Sequence, residues 1–331
     1  MINSVLEEKG ISNFVEDANR MPMVEADRIV TTPGYYEYLK IAEGCDKHCT
    51  YCVIPKVRGS FRSFPIEYLV NQTKKLVEGG VKEIILVAQE TTLYGVDLYG
   101  KKSLPKLLHN LGLIEGLEWI TILYCYPEEI NDELIEAIKN EPKVCHYLDM
   151  PIQHCNKTIL KRMNRHGDRE TLTALIKKIR EKIPNVTLRT TLITGFPGET
   201  EKQFEELCEF VKEIRFERLG CFAYSPEEGT PAEKFEDQVP LKDRERRAEI
   251  IMEEQMIISD SLNEAALDSE VEVVCEGFDR YAECYYGRSD ADAREIDGKI
   301  FFLSEDKVRV GEYVKVKIDD TMDYDLIGSK M

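Results

Sequence analysis

Cys45, Cys49 and Cys52 stand within eight consecutive positions, directly after the apolar run Tyr38-Leu39-Lys40-Ile41. Thiolates this close can share one inorganic centre, and iron–sulfur clusters are held by cysteine thiolates, normally four per cubane. Three ligands leave one iron free to bind something other than protein, and an open position separates a catalytic metal site from a structural one. Structural zinc prefers paired Cys-x-x-Cys units with four ligands in all. His48, beside Cys49, is badly placed to close a tetrahedron with its own neighbours. Disulfide frameworks belong to small, cysteine-dense secreted domains. The remaining seven cysteines (Cys125, Cys145, Cys155, Cys208, Cys221, Cys275, Cys284) are scattered and read as small core hydrophobes. The spacing favours a cluster, with zinc and plain packing as the alternatives.

A thiolate loop needs a rigid support, and the chain supplies a repeating one. Strand-like runs at Tyr36–Ile41, Glu83–Ala88, Trp119–Tyr124, His146–Met150, Thr187–Ile193 and Arg218–Ala223 alternate with helix-like stretches. The helix candidates are Ile66–Glu78, Leu104–Leu111, Glu128–Lys139, Thr158–Met163 with Arg169–Ile183, and Glu201–Ile214. Gly79-Gly80 ends the first as a C-cap would. Parallel strands need helical crossovers, so this alternation predicts an α/β domain with a parallel sheet. Residues 239–266 read as one long amphipathic helix. Beyond it, Val271–Cys275, Tyr281–Tyr286, Lys299–Phe302 and Tyr313–Ile318 are short, β-branched and aromatic, with glycines between them. That pattern predicts a small antiparallel β-barrel. The expected organisation is a weakly patterned linker or remnant of something longer over 1–34, a core over 35–238, a connecting helix over 239–266 and a barrel over 267–331.

With 331 residues, 43% hydrophobic and 32% charged, the chain has the composition of a soluble two-core protein. No apolar run approaches the roughly 20 residues that cross a bilayer, and the start Met1–Gly10 lacks a secretory pattern. Free thiols without an export signal place the chain in a reducing cytoplasm. The net charge of −18 suits a basic partner better than a phosphate backbone. Taken alone, such acidity is accounted for by solubility, so it weakens a direct nucleic-acid substrate without excluding one.

The loop Ala42-Glu43-Gly44-Cys45-Asp46-Lys47-His48-Cys49-Thr50-Tyr51-Cys52 at the end of the first strand resembles that of radical S-adenosylmethionine (SAM) enzymes. More specifically, Pro55, Arg58-Gly59, Arg62-Ser63, Leu86-Val87-Ala88-Gln89-Glu90-Thr91-Thr92, Asp149-Met150-Pro151-Ile152-Gln153-His154 and Thr194-Gly195-Phe196-Pro197-Gly198-Glu199-Thr200 resemble the methylthiotransferase subfamily. The C-terminal barrel is similar to a TRAM domain. Gln89–Gly95, Gly287-Arg288-Ser289 with Asp292-Ala293, and Asp323–Gly328 look like the branch acting on ribosomal protein S12 rather than the branch acting on tRNA adenosine. The resemblance implies a partial (β/α)6 barrel followed by the TRAM barrel.

It also implies a reaction, in which the β-carbon hydrogen of an S12 aspartate is replaced by a methylthio group. The implied cofactors are a 4Fe–4S cluster on Cys45, Cys49 and Cys52, and SAM bound to its open iron. A low-potential electron donor and the small ribosomal subunit are the implied partners. Glu90 is the candidate for the methionine amine, Arg189 for its carboxylate, and Tyr51, Ile193 and Tyr224 for the adenine. Ordinary strand-end, ion-pair and core roles are the alternatives for these five. The turn Thr194–Glu199 is expected to admit close backbone approach by a ligand, and His154 is expected to serve packing or hydrogen bonding rather than as a base. Family members carry a further N-terminal domain whose three cysteines hold an auxiliary cluster. No cysteine precedes Cys45, so the chain is expected to correspond to the radical and TRAM domains, with sulfur transfer dependent on the missing part. A tRNA-modifying enzyme and a non-catalytic cluster- or metal-binding module are the rival readings.

Overall fold

The computed structural model describes Asn19 and residues 31–331, so the linker expected over 1–34 falls almost entirely outside the described residues. Six strands, β1 (Tyr36–Lys40), β4 (Glu83–Val87), β5 (Trp119–Ile122), β6 (Val144–Asp149), β7 (Thr187–Thr194) and β8 (Arg218–Ala223), form one sheet in that order. All five pairings are parallel. The end strands β1 and β8 do not pair with each other, so the array is open on one side. A two-stranded ribbon, β2 (Ala42–Glu43) with β3 (Arg62–Ser63), brackets the cysteine loop.

Burial on both faces explains the continuous apolar strands such as Glu83-Ile-Ile-Leu-Val87. On the outer face, the crossover helix Ile66–Glu78 presses Ile66, Leu69, Thr73 and Leu76 against the sheet, the spacing of a one-sided apolar stripe. Glu201–Ile214 opens with a reciprocal capping box between Thr200 and Gln203. The inner face is covered differently. Ile85, Trp119, Leu123, Cys145 and Tyr147 meet Val274 and Ala293 from the C-terminal part of the chain.

That part is a closed barrel of five strands: β9 (Glu270–Asp279), β10 (Cys284–Arg288), β11 (Ile300–Leu303), β12 (Tyr313–Met322) and β13 (Asp325–Lys330). It is joined to the core by the helix Leu241–Ala265. Four of its strands match the expected runs; the fifth, β13, was missed. β13 returns through a tight turn with Asp323 at φ 47°, and a non-glycine turn carries none of the usual hairpin signal. Gly328 inside the strand reads as a breaker, yet a Cβ there would overlap the Lys317 carbonyl of β12. The barrel is antiparallel save for one pair, β11 with β13, which runs parallel.

From the end of β10 towards β11, residues Arg288–Asp297 pack against strands of the sheet. Arg288 pairs with Glu83 and, at 3.0 Å, with Glu276. Arg218 pairs with Asp292 at 2.6 Å, and Tyr147 donates its hydroxyl to Asp297 at 2.6 Å. The Gly287-Arg288-Ser289 and Asp292-Ala293 signature is therefore the seam between the two units. No helix among the described residues is long and apolar enough to cross a membrane.

Candidate active site

The cysteine loop is shaped by residues that are not cysteines. Gly44 sits at φ 76°, and a Cβ there would overlap the backbone oxygens of Gly59 and Ser60. Its N–H donates to Gln89 Oε1 at 2.8 Å, tying the loop to the end of β4. Asp46 accepts from Phe61 N–H at 3.2 Å. From the opposite side, Asn164 donates to the carbonyls of Lys47 and His48 at 3.0 and 3.1 Å, and Thr50 donates to the Arg162 carbonyl at 2.8 Å. Gly44→Ala is expected to cost at least about 1 kcal/mol from the left-handed backbone alone. Because the overlap is with backbone, iron binding after reconstitution should fall with it, measurable as iron per chain.

Cys45 and Cys49 are buried and Cys52 half-buried. Burial pushes the Cys45 thiol up to about 11 and the Cys52 thiol upward as well. Metal uptake here must therefore release thiol protons, which makes it pH-dependent. Among the described residues no three Cys, His, Asp or Glu side chains converge closely enough to hold a single metal ion. Three soft donors on one short loop are of the type that holds a sulfur-bridged cluster.

Glu90, just past β4, is fully buried. Its Oε1 accepts from Thr92 N–H at 2.8 Å and from the Thr92 hydroxyl; its Oε2 has no hydrogen-bond partner. A buried carboxylate oxygen without a partner is an unsatisfied acceptor. Burial, opposed by the Thr92 bonds and the Lys47 charge, raises its pKa to about 7. A carboxyl raised from 4.5 to about 7 keeps a proton that the unfolded chain has lost. The contribution of this group to the stability of the cofactor-free protein should thus be fully present below pH 4.5 and be lost as pH rises through 7, an effect of about 3 kcal/mol. Glu90→Gln should remove that slope and raise the denaturation midpoint at pH 8, read by urea unfolding at several pH values.

Tyr51, Ile193 and Tyr224 converge on one small apolar cluster around the fully buried Phe196. Phe196 meets Tyr51 and Tyr224 edge-on at 6.4 and 5.3 Å between ring centroids. The Tyr224 hydroxyl is buried without a partner. Arg189 stands apart from that cluster. It gives 2.7 Å to Asp149 and 3.8 Å to Asp297 of the seam, so its guanidinium is already engaged by two carboxylates. Asp149 in turn accepts from Tyr124 N–H at 3.0 Å.

The turn after β7 does not open towards a ligand as expected. Gly195, at φ 67°, is required because a Cβ would collide with Arg244 of the long helix, and Gly198 abuts the Asp237 and Arg162 side chains. Glu199 organises the turn, accepting from Gly195 N–H at 3.0 Å and from Arg247 at 2.8 Å. His154 is buried, takes Asn156 N–H on Nδ1 at 2.9 Å, and holds Nε2 3.4 Å from Glu199. It is a hydrogen-bonding group within the framework. His48, Tyr124 and Gln153 have positive φ (49°, 61° and 69°). These three non-glycine residues lie in the cysteine loop and past the carboxyl ends of β5 and β6, and such strain collects where function demands a geometry.

The reading of the residues alone missed Tyr126 and Arg165. The Tyr126 hydroxyl lies 3.2 Å from Cys49 Sγ, and Arg165 stacks on its ring at 4.1 Å. Tyr126 follows the carboxyl end of β5, where ligands of βα folds collect; Arg165 has no sequence signal.

An open parallel sheet with a thiolate loop at the carboxyl end of its first strands defines a radical SAM protein. The family model described as the radical SAM superfamily matches residues 39–211, and that of the TRAM domain matches 269–330. The ribosomal protein uS12 methylthiotransferase RimO of Lachnoclostridium phytofermentans is 53% identical over 329 residues, which cover 99% of this chain and 74% of that protein. RimO of Clostridium botulinum strain Okra is 48% identical over 319 residues, 96% of this chain and 71% of that one. The chain belongs to the radical SAM methylthiotransferases of the RimO family. It is an enzyme of that class, with a 4Fe–4S cluster and SAM as cofactors. The fold is shared by TsrM, a radical SAM methyltransferase of Kitasatospora setae, solved with cobalamin and a [4Fe-4S] cluster. The TM-score is 0.50 at 14% identity, covering 59% of this chain and 35% of that one.

Proposed function

We propose that this chain methylthiolates ribosomal protein uS12, at the β-carbon of an aspartate. The observation that carries the reading is the 53% identity to a protein of that name, running through both folded units and their seam. When bound, the cluster and SAM supply the electron transfer and the radical that takes hydrogen from an unactivated carbon. In this reading Cys45, Cys49 and Cys52 hold three irons. The free Glu90 Oε2 accepts the methionine ammonium, a charge-assisted bond that also relieves a buried carboxylate. Tyr51, Ile193 and Tyr224 flank the adenosine, with Phe196 behind them keeping water out. Arg189 is left out of the cofactor set, because its two carboxylates make it a seam residue. In the C-terminal barrel, acidic residues outnumber basic ones about two to one, which favours a basic protein over an RNA backbone. The reading places the chain in the cytoplasm with the small ribosomal subunit and a low-potential electron donor.

The test is anaerobic reconstitution and reduction in the presence of SAM and either uS12 or tRNA. Formation of 5′-deoxyadenosine, stimulated by uS12, together with a methylthio adduct on uS12 from cells expressing this chain, is the expected outcome by mass spectrometry. Modification of tRNA with uS12 untouched would overturn the substrate.

A further inference from the structure

Tyr126 has a position that volume filling does not explain. Its hydroxyl lies 3.2 Å from Cys49 Sγ. Its ring is gripped by two cations, with the Arg165 guanidinium 4.1 Å and the Lys47 ammonium 5.0 Å from its centroid. The backbone fixes it too, since Tyr126 N–H donates to Thr92 Oγ1 at 3.3 Å, and Thr92 is the partner of Glu90. Arg165 is 5% exposed. It donates to the Pro151 carbonyl at 3.0 Å and has the Glu128 carboxylate at 3.5 Å. The Tyr51 hydroxyl also faces Arg165 and Cys49. A phenylalanine would fill the same space, but a buried phenol must find a hydrogen-bond partner, and here the partner is a thiol.

We propose that Tyr126 is a positioning residue for the cluster, its hydroxyl donating a hydrogen bond to the Cys49 thiolate and, with Arg165 stacked on its ring, raising the cluster's reduction potential. The inference rests on Cys49 being a cluster ligand. Once Cys49 is ligated as a thiolate, only the phenol has a proton to give, which settles the direction of the bond. A phenol keeps its proton at neutral pH. A donor and a nearby guanidinium draw electron density from the sulfur and stabilise the more negative, reduced cluster. Hydrogen bonds to cluster sulfurs are among the terms that set such potentials. The site would then temper a strongly reducing cluster enough for a cellular donor to load it.

The test is a redox titration of the reconstituted holoprotein, read from the electron paramagnetic resonance signal of the reduced cluster. Tyr126→Phe is expected to keep wild-type iron content and urea stability while the midpoint moves to more negative potential. Replacing Tyr126 with 3-fluorotyrosine, a more acidic phenol and a stronger donor, should move it the other way. An unchanged midpoint in Tyr126→Phe, or shifts of the same sign in both variants, would overturn the proposal. If Tyr126→Phe loses its cluster, the fluorinated protein decides alone: a positive shift supports the hydrogen bond, and no shift or a negative one removes it. Failure of the wild-type chain to assemble any cluster would sink the ligand assignment and this inference together, whereas a midpoint insensitive to Tyr126 leaves the ligand assignment standing.

Discussion

Cys49→Ala is expected to leave a folded protein that binds almost no iron and makes no 5′-deoxyadenosine above the cluster-free background. Cys49 is the centre of the arrangement, carrying the Tyr126 contact at 3.2 Å and sitting between the anchors made by the Gly44 N–H and the Thr50 hydroxyl. Two thiolates cannot hold a cubane that normally takes four ligands. The fold itself should tolerate the change, because deleting one small thiol from the loop removes little buried area. Iron per chain, cluster absorbance and product formation, measured beside an unchanged circular dichroism spectrum, separate this result from simple misfolding. Retention of full iron in the variant would show that the loop does not provide the ligands.

The largest stability effect is expected at the seam. Arg288→Ala should cost about 3–5 kcal/mol, because it leaves Glu83 buried in the sheet with its charge uncompensated. Glu83 is fully buried and Arg288 is 3% exposed; Arg288 also holds Glu276 and lies over Trp119 at 5.7 Å. The small barrel has its own apolar interior of Val273, Cys275, Ile300, Phe302, Val316 and Ile318. Loss of the seam should therefore appear in urea unfolding as an early transition of the core, detected by Trp119 fluorescence. Replacing both partners, Glu83→Leu with Arg288→Met, should recover most of the loss, since a buried pair replaced by apolar groups is often neutral. Equal destabilisation in the double variant would mean that packing, and not an orphaned charge, is the cause.

The two results test different parts of the chain, and they mark what its sequence could reveal. Spacing alone singled out Cys45, Cys49 and Cys52, because ligands on one short loop are neighbours in space whatever the fold does. Periodicity located the six core strands to within a few residues and the helices Ile66–Glu78 and Glu201–Ile214 to the residue, because buried parallel strands and one-sided helices write their environment into local pattern. Glu90 stands out for a related reason, as a carboxylate at the end of a clear strand, and the fold adds that it is fully buried.

What tertiary structure decided is every relation between distant positions. Arg189 reads in sequence as either a ligand-carboxylate partner or a structural ion pair, and the fold pairs it with Asp149 and Asp297. Gly195 looks like a ligand-facing turn and instead admits Arg244 of a helix some fifty residues on. Tyr126 and Arg165 meet Cys49 only because the ends of separate βα units are gathered on one rim. β13 closes the small barrel through long-range pairing with β11 and β12, although Gly328 argues against a strand locally. Local pattern records how much of a residue is buried; it does not record which partner buries it, because that depends on the path of the chain between them. So the amino-acid order by itself determined the candidate thiolate loop, the class of chemistry and the two-part architecture. Only folding determined which charges hold the parts together and which side chains surround the thiolates.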